Sequence, residues 1–196
     1  MDIILEHNFK SKSHDLVDLF KGTKKFATFI RKLEEQSEID TIRYDRDKYV
    51  GDAFEFFVEL FLKLHPTDNR IGLYDYVPVQ ENDNGVDGIG INILNQKSVA
   101  QIKYRSNNQQ YLTANADHLS NMFTDGMMAH NVTADMSNPK NYRHFIFTTA
   151  EGLHFYTDSE MYKHKVKCIG YNNFRSILDN NVHFWTTATE IVMNLK

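Results

Sequence analysis

Residues 85–104 read Gly85-Val86-Asp87-Gly88-Ile89-Gly90-Ile91-Asn92-Ile93-Leu94-Asn95-Gln96-Lys97-Ser98-Val99-Ala100-Gln101-Ile102-Lys103-Tyr104. Two runs alternate here. From Val86 to Leu94, Ile89, Ile91 and Ile93 recur at every second position, and from Ser98 to Tyr104, Val99, Gln101 and Lys103 alternate with Ala100, Ile102 and Tyr104. A period of 2 marks a strand, because successive side chains leave it on opposite faces. Asn95-Gln96 between the runs is short enough for a tight hairpin turn. With that turn Leu94 faces Lys97, Lys103 lies opposite Gly88 and Asp87 opposite Tyr104. Asp87 then shares a sheet face with Ile102 and Tyr104, while Gln101 and Lys103 share the other with Gly88 and Gly90. Bringing Asp87 and Lys103 together requires an irregularity at Gly88 or Gly90, such as a bulge.

Working outward, residues 48–64 carry Val50, Ala53, Phe54, Phe57, Val58 and Phe61 on one helical stripe. Phe56, Leu60, Leu62 and Leu64 widen it, which predicts a helix packed on a sheet and partly covered by the N-terminal helices. His65-Pro66 ends it. Tyr74, Tyr76, Val77 and Val79 form a strand before the hairpin. After it come a helix over 112–130 and a strand over His144–Thr149. A short strand over Val166–Ile169, a helix capped by Asn172 or Asn173 and a terminal helix from Thr187 to Leu195 follow. Residues 1–47 predict two short helices, around Leu16–Phe20 and Phe26–Leu33, then a charged connector from Glu34 to Asp47. The expected architecture is an α/β fold, a mixed sheet flanked by helices. An N-terminal helical extension spans residues 1–47 and the α/β domain residues 48–196.

Composition narrows the class. The 196 residues are 41% hydrophobic, with 14 Phe and 10 Tyr, enough for a real core and against a disordered chain. Cys168 is the one cysteine, so no disulfide forms within the chain. No apolar run approaches the ~18 residues of a membrane span. The start Met1-Asp2-Ile3-Ile4-Leu5-Glu6 is acidic where a signal peptide is basic, so a cytoplasmic, reducing location is expected. The net charge of −4 is uneven: residues 1–96 hold 18 acids and 12 bases, residues 97–196 hold 8 acids and 10 bases.

Three places carry candidate chemistry: Asp87 at the start of the second strand, Gln101-Ile102-Lys103 across the hairpin, and Glu55 on the long helix. Hydrolysis of a phosphodiester needs a cation to polarise the phosphoryl group and to produce hydroxide near neutral pH. Mg²⁺ takes oxygen ligands and keeps several waters. Asp87 offers a carboxylate, and the Gln101 amide oxygen or the neighbouring carbonyl of Ile102 a second donor. Lys103 suits a group that holds the attacking water or offsets charge, and Glu55 suits a further ligand or a water-orienting acid.

The series Gly51-x-x-Phe54-Glu55, Gly85-Val86-Asp87-Gly88 and Gln101-Ile102-Lys103 resembles the PD-(D/E)xK nuclease superfamily. Gln101 in place of the usual acid, and the strand Phe145-Ile146-Phe147-Thr148-Thr149, resemble its Mrr-type restriction endonuclease branch. The resemblance covers residues 48–150. It implies a restriction-endonuclease-like mixed sheet and Mg²⁺-dependent cleavage of DNA, with Mn²⁺ able to substitute and no small-molecule cofactor. It implies Asp87, Glu55, Gln101 and Ile102 as metal ligands and Asp87, Gln101, Lys103 and Glu55 as the catalytic set. Double-strand cutting implies a homodimer. Two departures stand out: Val86 replaces the family's proline before the acid, and Gln101 removes one negative charge from the metal site.

Plainer readings stand beside these. Asp87 in a glycine-rich stretch is a turn residue, Lys103 a solvated strand position, and Glu59 an i, i+4 partner of Lys63 on a wet helix face. Lys163, Lys165 and Lys167 alternate, which fits either a phosphate track or a lysine-protected edge strand. Arg105 and Asn107 lie just past Lys103, where a nucleic-acid groove or a plain polar loop is expected. The nine histidines show no metal-binding spacing. A catalytically inactive DNA- or protein-binding module and a resolvase of four-way junctions are the alternative functions.

Overall fold

The computed structural model describes residues 3–6, 13–39, 45–79, 85–113, 119, 121–133, 137–138, 141–154 and 166–195. Helices α1 (Ser13–Phe20), α2 (Phe26–Ile39) and α3 (Arg46–Leu64) precede strands β1 (Leu73–Pro78), β2 (Gly88–Asn92) and β3 (Lys97–Lys103). Then come β4 (Tyr111–Thr113), a π-helical turn (Met122–Gly126) running into α4 (Met127–Ala129), and β5 (His144–Thr148). Strands β6 (Gly152–His154) and β7 (Val166–Ile169) and helices α5 (Tyr171–Leu178) and α6 (Val182–Asn194) complete the order.

The main sheet has the order β1-β2-β3-β5-β7. The first three strands form an antiparallel meander, and β5 and β7 run parallel to β3. This is the mixed sheet flanked by helices that the sequence predicts. One face carries Ala100, Ile102, Phe145, Phe147 and Ile169 against α3, α5 and α6. The other carries Val99, Ile146 and Val166 against Leu112, Leu119, Met122 and Phe123. Among the described residues no helix is long and apolar enough to cross a membrane.

Helix α3 forms where the stripe predicts it. The Asp45 side chain caps it by accepting from the Asp47 amide at 3.0 Å. Phe54, Phe57 and Phe61 are fully buried along its length. The described part of residues 1–47 packs on the rest of the chain. Leu16, Leu19, Phe20, Phe26, Phe29, Ile30 and Leu33 belong to the same hydrophobic cluster as α3, α5 and α6. Phe29 stacks on Phe57 with ring centroids 4.4 Å apart. The chain ends tie together as well: the Phe26 amide at the start of α2 donates to Asp179 Oδ1 at 2.9 Å. The stretch expected as a connector from Glu34 is helical to Ile39, because its buried positions continue the stripe of α2.

Other expectations need correction. Residues 112–130 are not one helix: Tyr111–Thr113 pair in parallel with Gly152–His154, and among the described residues the helical part is the π turn and α4. Helix α6 starts at Val182, not Thr187, because Asn181 caps it by accepting from the Phe184 amide at 3.1 Å.

The hairpin register also differs from expectation. Gly88 pairs with Ala100, Ile89 with Val99 and Ile91 with Lys97. The turn is therefore the three residues Ile93, Leu94 and Asn95. Asn95 takes φ +57°, a left-handed conformation that asparagine tolerates. The Asn92 side-chain oxygen holds this turn, accepting from the amides of Leu94 at 2.9 Å and Gln96 at 3.0 Å. The pairing moves by three positions from the expected one. An odd shift exchanges the faces, so the row opposite Gln101 is that of Asp87.

Candidate active site

The glycines of the hairpin set its geometry. Strand β1 is irregular between Tyr74 and Val77, where Asp75 has φ +50°. This lays the Tyr76 ring across Gly88, where any Cβ would collide with it. The Tyr76 hydroxyl donates to the Asp87 carbonyl at 3.2 Å. A Cβ on Gly90 would sit 2.7 Å from the Tyr74 carbonyl oxygen. Both positions thus need glycine to let β1 close on β2.

Asp87 brackets Gln101 on the neighbouring strand. Its amide donates to the Ala100 carbonyl at 2.9 Å, and its Oδ2 accepts from the Ile102 amide at 2.6 Å. Even-numbered residues of β3 direct their main-chain groups towards β2. Odd-numbered ones face β5, as the Val99 amide to Arg143 and the Lys103 carbonyl to Thr149 demonstrate. Ile102 N–H therefore points beyond the paired part of β2, and the Asp87 carboxylate takes the place of a main-chain acceptor there. The Ile102 carbonyl lies on the same strand edge.

Gln101 is 1% exposed, and its Oε1 has no hydrogen-bond partner among the described residues. Its amide packs against Gly85, where a Cβ would come within 3.2 Å of Nε2. Gly85 has φ +82°, so glycine is favoured there on conformation as well as space. Asp87, Gln101 and Ile102 present only oxygen donors, the type that Mg²⁺ selects, and the orphaned Gln101 Oε1 is the atom that such a cation would satisfy. Among the described residues no cluster of three His, Cys, Asp or Glu that could hold a metal ion forms.

Lys103 ends β3 and opens onto a cavity of about 410 Å³. Glu55, Ile102, Tyr104 and Arg105 share its wall. The Lys103 ammonium makes no hydrogen bond or ion pair among the described residues. Asp87 and Gln101 are not wall residues; Asp87 reaches the wall through its hydrogen bond to Ile102. Glu55 comes from α3 on the other side of the sheet and meets Lys103 because the cavity lies past the strand end. Glu59, one turn on, is completely buried and accepts from the Glu6 amide at 2.7 Å. Lys63 pairs with Glu6 at 3.6 Å, which corrects the expected Glu59–Lys63 pair.

Of the expected DNA contacts, Arg105 is at the cavity. Its amide donates to Thr149 Oγ1 at 2.6 Å and its guanidinium to the Tyr104 carbonyl at 2.7 Å. Asn107 is exposed in the following loop, accepting from the Gln109 amide at 3.0 Å. Lys163 and Lys165 lie outside the described residues. Lys167 is elsewhere. It shares the opposite sheet face with Phe145 and Ala100, donates to the Asn69 carbonyl at 3.3 Å and lies 6.0 Å from the Tyr142 ring. Burial lowers its pKa from the ordinary lysine value.

Glu34 and Arg46 shape the site without a sequence signal, the first through Tyr104. The Tyr104 hydroxyl donates to Glu34 Oε1 at 2.8 Å, across 70 residues of chain. Burial, then this carboxylate, raises the Tyr104 pKa far above that of a free phenol. Arg46, in the first turn of α3, lines the same cavity and reaches the Ser37 hydroxyl at 3.4 Å.

Fold and site together define a mixed α/β protein with an acid and an amide at a hairpin end and a lysine beside them. Comparison of the chain with protein-family models, curated proteins and solved structures found no match.

Proposed function

We propose that the chain is a Mg²⁺-dependent endodeoxyribonuclease of restriction-endonuclease-like fold. The observation that carries this reading is the Asp87 carboxylate on the Ile102 amide, 2.6 Å apart, with Gln101 between its two main-chain contacts and Lys103 one residue further. The order α3, three-stranded meander, crossover and parallel β5 supports it.

Asp87, Gln101 Oε1 and the Ile102 carbonyl would hold the cation. When bound, it neutralises phosphoryl charge and lowers the pKa of a coordinated water. Asp87 is oriented for this by the Ile102 amide, and its backbone is fixed by the Ala100 carbonyl and the Tyr76 hydroxyl. The Lys103 ammonium holds the attacking water or offsets charge on the phosphorane-like transition state. Glu55 orients a second water from the opposite wall. Arg105 grips the phosphate backbone.

The test is incubation of plasmid DNA with Mg²⁺ or Mn²⁺, with and without EDTA. Cleavage that disappears with EDTA, with Asp87→Ala and with Lys103→Ala is expected; cleavage that survives both substitutions sinks the site. A second reading, a DNA-binding module without catalysis, draws on the neutral Gln101 and the lack of a three-acid cluster among the described residues. DNA binding without cleavage under any metal would favour it.

A further inference from the structure

Gly51 lies in the interior of α3, where glycine weakens a helix, yet it lines the cavity one turn before Glu55. A Cβ built on it meets no atom within 4 Å. Packing inside the protein therefore does not explain the missing side chain: the helix surface is bare towards open space. The patch carries charges of both signs: Asp47 one turn before it and Glu55 one turn after it line the cavity together with Arg46, Lys103 and Arg105. Arg46, at the first position of the helix, is half exposed and lies 3.4 Å from the Ser37 hydroxyl and 3.8 Å from Glu38. Lys103 and Arg105 face it from the end of β3. The cavity is within the size range of small-molecule sites, larger than a single phosphate requires. One wall is the Tyr104 side chain, pinned by Glu34 and set edge-on to Phe54 with centroids 6.2 Å apart.

From this geometry we infer that the Gly51 face of α3 is a seat for the nucleotide next to the scissile phosphate. The sugar–phosphate chain lies directly on the helix, between Arg46 on one side and Lys103 and Arg105 on the other. Glycine is needed because any side chain there would fill the space the strand occupies. Arg46 is a positioning contact to the neighbouring phosphate, separate from the metal ligands. The inference rests on the nuclease reading for its ligand, a DNA strand, but not on catalysis.

The experiment measures binding of a fluorescein-labelled DNA duplex by anisotropy, in Ca²⁺ so that binding is separated from cleavage. Gly51→Ala, Gly51→Leu and Arg46→Gln are compared with the natural chain, alongside thermal unfolding and plasmid cleavage in Mg²⁺. Gly51→Ala is expected to raise the melting temperature by about 2–4 °C, as alanine favours the helix. The same variant weakens DNA binding, and Gly51→Leu weakens it by about tenfold or more. Arg46→Gln weakens binding and flattens its salt dependence. Gly51 variants that unfold later and bind DNA as tightly as the natural chain overturn the seat, whatever the cleavage result. A natural chain that binds DNA but does not cut it overturns the nuclease reading alone, and the Gly51 variants still decide the seat. A natural chain that binds no DNA overturns both.

Discussion

Asp87 Oδ2 accepts the Ile102 amide at 2.6 Å, a side chain standing in for a strand partner at the open end of the β2–β3 ladder. The contact is structural and chemical at once, and substitutions at Asp87 separate the two. Asp87→Ala leaves a half-buried N–H without its acceptor and is expected to lower stability by ~1–3 kcal/mol. Asp87→Asn keeps an acceptor oxygen, so its unfolding midpoint in urea should stay near that of the natural chain. Both variants should lose metal-dependent cleavage. An active Asp87→Asn chain would show that the carboxylate charge holds no cation.

Gln101 is buried and its Oε1 has no hydrogen-bond partner among the described residues, so Gln101→Glu places a buried charge that a bound cation would balance. In EDTA this variant is expected to unfold more easily, by roughly 3 kcal/mol, the scale of an uncompensated buried charge. Added Mn²⁺ should raise its melting temperature more than that of the natural chain, because ligand binding to the folded state stabilises it. Equal shifts with Mn²⁺ in the two chains would remove Gln101 from the ligand set.

Gly88 lies under the Tyr76 ring. Gly88→Ala overpacks this contact and should cost ~1–3 kcal/mol. Tyr76→Ala in the same chain should recover part of that loss, and a double-mutant cycle read by urea unfolding measures the coupling. Cleavage should fall in both single variants, since the Tyr76 hydroxyl holds the Asp87 backbone.

His65 caps α3, its Nδ1 lying 2.8 Å from the Phe61 carbonyl and its ring stacked on Phe184 with centroids 5.4 Å apart. Burial pushes its pKa below the ordinary 6.5, partly opposed by the Phe61 carbonyl. The unfolded chain therefore binds the proton more readily. Stability from this group is fully present above pH 6.5 and is lost as pH falls through 6.5 towards the lower folded value. His65→Gln should flatten the acid side of the stability–pH curve, measured by urea unfolding across that range.

Phe29 belongs to the N-terminal helices but stacks on Phe57 of α3 at 4.4 Å. Phe29→Ala should cost ~3–5 kcal/mol, as for any fully buried aromatic in a core. An effect near zero in urea unfolding would mean that residues 1–47 fold apart from the rest.

The sequence was most legible where one element speaks for itself. The Val50–Phe61 stripe located α3, alternation located β2 and β3, and the apolar run Phe145–Phe147 located β5, because each is a local property of the sequence. The same is true of the candidate residues: Asp87, Gln101, Lys103 and Glu55 were singled out by type and order alone. The hairpin register was not legible. A two-residue and a three-residue turn fit the same stretch Ile93–Gln96, and the choice depends on the Asn92 side chain folding back on Leu94 and Gln96. That odd shift determines which face Asp87 occupies.

The packing of residues 1–47 was legible in part. The apolar surface of α3 beyond one stripe predicts cover by the N-terminal helices, and Phe20, Phe26 and Phe29, buried in one cluster with α3, supply it. Residue order and periodicity thus determined by themselves α3, the five strands of the main sheet, the mixed α/β class and the list of reactive side chains. Tertiary packing alone decided that Asp87 brackets Gln101, that Lys103 and Glu55 share one cavity, and that Glu34 pins Tyr104. These relationships join positions 14 to 70 residues apart in the chain, where local sequence preferences have no reach and only the closing of the core sets the distance.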